Sequence, residues 1–128
     1  MLTKAAFAAF ATLLLPATAM AADVAGEIVT AGTHAQLAAQ ASDLDMVHMH
    51  LHHTLNCLVG PGAPGFDPTN LNPCAGSGSG AIPDTTDAAK KQLLQGAVTT
   101  AEAGIAASDI TVAKQDATSV YNQLQAAK

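Results

Sequence analysis

Apolar and polar residues along this chain recur with a helical period. Leu37, Ala41, Leu44, Val47, Leu51, Leu55 and Leu58 keep one phase when wound at about 100° per residue. They predict one helix over residues 34–58, entered through Thr33-His-Ala-Gln36, which has the Thr-x-x-Gln spacing of a capping box. A break at Ser42-Asp-Leu-Asp45, a second capping-box pattern, is the alternative. Leu93, Leu94, Ala97, Val98, Ala101 and Ile105 form the apolar face of a helix over 85–107, capped by the stretch Asp84-Thr-Thr-Asp87. Past Ser108-Asp109, the residues Ile110, Ala113, Ala117, Val120, Tyr121 and Leu124 do the same over 110–127. Asp23 to Gly32 reads as a short helix that starts on an Asp cap and stops at glycine. There is no strand alternation and no internal repeat. The pattern predicts an all-α fold, a small antiparallel helical bundle of three main helices with a short fourth at the start.

Residues 59–83 break this rhythm. They hold five of the six prolines and most of the glycines and show no period, so a long crossover loop is expected. Phe66, its one aromatic residue, is expected to pack back on the bundle. Cys57 and Cys74 are the only cysteines and flank the first half of this loop. In an oxidising compartment two such residues pair, and closing a ring of about 16 residues contributes on the order of 3 kcal/mol by chain-entropy reasoning. A Cys57–Cys74 disulfide would pin the loop to the helix end and remove Cys57 from the set of free donors.

The compartment is suggested by the first 21 residues. Lys4 is followed by the apolar run Ala5–Leu15, a break at Pro16, and small residues at Ala19 and Ala21, the three parts of a secretory signal. The run is too short to span a bilayer. Residues 1–21 are therefore expected to be a cleaved signal peptide and 22–128 the helical domain, periplasmic or secreted, with no membrane span. Beyond residue 21 there are four lysines, no arginine and all ten acids, a formal charge of −6. This excludes a nucleic-acid surface, which needs clustered Lys or Arg, and leaves no basic stripe for an anionic membrane.

Four of the five histidines fall between His48 and His53, and here the polar pattern acquires chemistry. On a helix, Leu44, Val47, Leu51, Leu55 and Leu58 line one side, while Asp45, Met46, His48, Met49, His50, His52 and His53 occupy the other. His48 and His52, at i and i+4, have the spacing at which two imidazoles grip one ion, with Asp45 one turn earlier as a third ligand or as an orienting acceptor. His50 and His53 form a second pair beside Met46 and Met49. Imidazole suits copper, zinc and nickel, and thioether adds a preference for cuprous copper. The expected ligand is thus a copper ion, with zinc and nickel as alternatives. Oxygen donors are too few for calcium or magnesium. In one unbroken helix His34 stands about 21 Å from His48, so it joins such a site only across a homodimer.

Three other readings compete. The histidine face can serve as a metal-free structural or partner-binding interface, or as a pH-responsive surface of coupled imidazoles. Noncovalent haem is the third. Covalent c-type haem is excluded because Cys-x-x-Cys-His is absent. Gly-x-Ser-x-Gly, His-Glu-x-x-His and glycine-rich phosphate loops are absent too, so no enzyme is expected.

Overall fold

The structure, a computed structural model, describes residues 21–128. The expected signal peptide lies outside the described residues, save for Ala21. Five helices and no strands are present among the described residues: α1 (Val24–Gln40), α2 (Leu44–Val59), α3 (Ala81–Asp84), α4 (Ala88–Ala106) and α5 (Ile110–Ala126). The fold is all-α, as the periodicity predicts.

Two helix boundaries differ from the sequence reading, and both matter for the site. The chain does not run as one helix from 34 to 58. It breaks at Ala41-Ser42-Asp43, the alternative that the second capping box offered, and Asp43 caps α2 by accepting from the Met46 N–H at 2.9 Å. Nor does the first helix stop at Gly32. It passes through, because Gly32 is buried against Leu124 and Gln125 of α5, and packing outweighs the roughly 1 kcal/mol that an interior glycine costs. Thr33 does not cap; its Oγ1 donates to the Val29 carbonyl one turn back. The short fourth helix is therefore a full member of the bundle, and the phase of the aliphatic stripe fails at Leu37, which is 41% exposed. Downstream, Asp87 rather than Asp84 caps the next long helix, by accepting from Lys90 N–H, and Asp84 instead ends the short α3.

Cross-helix contacts pair α1 with α2 and α4 with α5, each antiparallel across a short turn. Thr54 meets Ala31 between α1 and α2, and Gln123 meets Thr100 between α4 and α5. Lys114 Nζ donates to the Ala41 carbonyl, beside α1. Gly104 of α4 leaves room for Leu51 of α2; a Cβ there would sit 2.7 Å from the leucine Cδ1. The core between these helices combines Ile28, Val47, Leu51, Leu55, Leu58, Leu94, Val120 and Leu124 with alanines at 31, 35, 38, 97, 101, 113 and 117. The alanines bring helix axes close, so a short chain with few large side chains still excludes water from its centre.

The crossover loop is anchored rather than loose. Cys57 and Cys74 are joined, with an S–S distance of 2.07 Å, and no free cysteine remains among the described residues. Asn56, fully buried, is a second anchor. Its Nδ2 lies 2.9, 3.2 and 3.1 Å from the carbonyls of Asp67, Asn70 and Leu71, and its Oδ1 accepts from Asp67 N–H at 2.8 Å. Phe66 packs partly buried against the core, as expected. The loop's two ends cross backbone on backbone at Gly60 and Gly80, both at positive φ; a Cβ on Gly60 would strike the Ser79 carbonyl.

Candidate metal centre

The break at residues 41–43 folds α1 back along α2 and sets His34 opposite His50 and His53. Residues 46, 50, 53 and 57 lie along one flank of α2, which borders α1 and is exposed at its Met46 end. Thr54, one turn past His50, fixes the register. Its hydroxyl is buried and shared between the Ala31 carbonyl at 3.2 Å and the His50 carbonyl at 3.1 Å. The result is a cluster of three imidazoles in which one donor atom from each ring lies within 4.8 Å of the other two. Such a group can hold a metal ion.

Within the cluster His34 Nδ1 and His50 Nδ1 are 3.2 Å apart, one ring donating and the other accepting. His53 stands edge-on to both, with ring centroids 5.0 Å from His34 and 5.6 Å from His50. It is the most buried of the three, 8% exposed, and its Nδ1 has no hydrogen-bond partner among the described residues. Burial pushes the His34 imidazole down to about 4, helped by the neighbouring His53 and His50. Burial likewise lowers His50, and it lowers His53 together with the charges of His50 and His52. Near neutral pH the three rings are therefore uncharged, and an uncharged imidazole is the form that coordinates.

The other donors predicted from the sequence lie elsewhere. His48 and His52 do not enter the three-donor cluster. His48 Nε2 donates to the Ala107 carbonyl at 3.0 Å, closing the end of α4. His52 Nδ1 approaches Asp67 Oδ2 at 3.3 Å, without the alignment of a hydrogen bond. Asp67 is held at about 2, first by the Thr69 hydroxyl, then by the Asn70 amide and the Thr69 N–H, with His52 a smaller influence. Asp45 is exposed in the first turn of α2; Met46 is 41% exposed and Met49 half-buried. Cys57, on the same flank as His53, is taken up by the disulfide.

His34 is the member that the sequence reading set aside, because a continuous helix puts it out of reach. The signal that finds it is the Ser42–Asp45 capping pattern: once the chain turns there, residues equally far before and after the turn come opposite each other. Asn56 falls on the polar side of the α2 pattern, yet it is buried and organises the loop. An apolar groove of about 680 Å³ runs between the loop and α4, lined by Val59, Pro61, Ile82, Pro83 and Val98 among others. No histidine is among the residues that line it. Comparison with known proteins yields no match to a family model, a curated protein or a solved structure.

Proposed function

We propose that this is an exported, disulfide-stapled helical protein that binds a copper ion through His34, His50 and His53. The observation that carries this reading is the convergence of three imidazoles from two helices onto one half-buried point. The spacing suits it. Two metal–nitrogen bonds of about 2.0–2.1 Å spanning the 3.2 Å between His34 and His50 subtend roughly 100–106°, close to tetrahedral. A set made only of imidazoles favours copper, zinc and nickel over hard cations, and among divalent first-row ions copper binds such sites most tightly. Copper is therefore the first choice, with zinc and nickel behind it. His48, His52, Asp45, Met46 and Met49 are left outside the primary ligand set. Export rests on the leader pattern of residues 1–21 and agrees with the disulfide. No helix among the described residues is long and apolar enough to cross a membrane.

The test is a titration of untagged protein with Cu(II), Zn(II) and Ni(II) against a chromophoric chelator. One equivalent of Cu(II) should bind stoichiometrically and more tightly than the other two ions. Weak binding of several equivalents, with no preference, would refute the reading.

A further inference from the structure

The cluster supplies three ligands and stops. Among the described residues no fourth histidine, cysteine or carboxylate belongs to the group, and Cys57, one turn past His53 on α2, is bonded to Cys74. Structural zinc sites close their coordination with four protein ligands, whereas sites that do chemistry or exchange ligands keep one position for water or substrate. The cluster also has an inside and an outside: His53 is buried, while His34 and His50 are partly exposed. At its rim the antiparallel pairing brings Leu37, one turn after His34, to the same end as Met46, one turn before His50. Both are 41% exposed and uncharged. Three neutral ligands leave the full charge of a divalent ion in place, and partial burial strengthens its pull on an anion.

We infer that the metal bound by His34, His50 and His53 offers a fourth, solvent-facing coordination position that takes a small anionic ligand from outside the chain, such as azide, thiocyanate or a simple carboxylate. This rests on the three-histidine reading above and gives it a consequence. The centre is a place of ligand exchange rather than a closed staple; the disulfide supplies the staple. On this reading Met46, one turn before His50 on α2, leaves the position free.

Azide is the probe. Untagged protein is loaded with one equivalent of Cu(II), and separately of Co(II), and azide is titrated while the charge-transfer and d–d bands are followed. The expected result is a saturable change with one azide per metal. It should persist in Met46→Leu, with an apparent affinity within a factor of about three of wild type. A loaded protein whose spectrum is indifferent to a large excess of azide would overturn the inference while leaving the three-histidine site standing. An azide response found only in Met46→Leu would overturn it as well, by showing that the thioether fills the position. If neither ion loads, the three-histidine site itself is wrong and the inference goes with it.

Discussion

His34 and His50, sixteen residues apart in sequence, place their Nδ1 atoms 3.2 Å from each other. That separation is both a hydrogen bond between neutral rings and the bite of a metal chelate. The cluster is thus held in nearly the geometry that a metal requires, with a shared proton where the ion would go. Metal binding must displace this proton, which the donating ring carries on its Nε2 instead, so neutral rings bind without net release of acid; binding should weaken as pH falls and protons compete for the imidazoles. Because burial holds His34 down at about 4, affinity should decline at a lower pH than for an exposed histidine pair. Titrations between pH 7 and 5 would show it.

Asn56 should matter more for stability than its place on a polar helix flank suggests. Asn56→Ala removes the buried amide that joins α2 to Asp67, Asn70 and Leu71 and leaves three part-buried carbonyl contacts and the Asp67 N–H without their partner. The expected loss is about 2–4 kcal/mol, measured by urea unfolding with the disulfide intact. A loss under about 0.5 kcal/mol, as at an ordinary surface position, would contradict the anchoring role.

The other anchor, Cys57–Cys74, should be found oxidised, with no thiol titratable after denaturation. Replacing both cysteines by alanine should cost about 3 kcal/mol, since the bond closes a loop of 17 residues' separation. Losing either anchor should loosen the loop before it loosens the helices, which hydrogen exchange resolves residue by residue.

Glu27 and Asp67 give stability opposite pH slopes. Burial raises the Glu27 carboxyl, opposed by the Gly80 N–H that donates to it and assisted by Asp84 and Asp23. The folded chain therefore holds this proton more tightly than the unfolded one. The stability so gained is full below about 4.5 and is lost as pH rises through the raised folded value. Asp67, held at about 2, acts in reverse: its contribution is present above 3.8 and is lost as pH falls toward 2. Glu27→Gln keeps an acceptor for Gly80 without the charge. It should stabilise the fold at pH 7 and do so less at pH 4, as read from urea midpoints at both values. A loss of stability at pH 7 would show that the ionised carboxylate is wanted there.

Much of this molecule was legible in the sequence, because helical period and cap chemistry are local. Val47, Leu51, Leu55 and Leu58 on α2, and Ala113, Ala117, Val120 and Leu124 on α5, lie buried where their spacing puts them. The cysteine pairing followed from count and compartment. What could not be read was which of two equal-looking cap signals the chain obeys. Thr33-x-x-Gln36 and Ser42-x-x-Asp45 both offer a start, and only the packing of α1 on α5 through Gly32 decides for the second. That choice controls the site. With the turn at residue 33, His48 and His52 are the natural pair; with the turn at 41–43, His34 arrives beside His50 and His53, and the i, i+4 pair faces Ala107 and Asp67 instead. Spacing along one helix says which residues share a face, but not what stands opposite.

The most direct test sets one residue outside the histidine-rich run against two within it. Cu(II) affinity is measured by chelator competition for wild type, His34→Ala, and the double variant His48→Ala/His52→Ala, with circular dichroism confirming that each is folded. The double variant gives up the Ala107 hydrogen bond and the Asp67 approach, a stability cost of about 1–2 kcal/mol, but should keep its affinity within about threefold of wild type. His34→Ala should bind more than tenfold more weakly, since a lost ligand costs at least the roughly 1.4 kcal/mol that a factor of ten represents. Full affinity in His34→Ala together with its loss in the double variant would contradict the three-histidine centre and return the metal to His48 and His52.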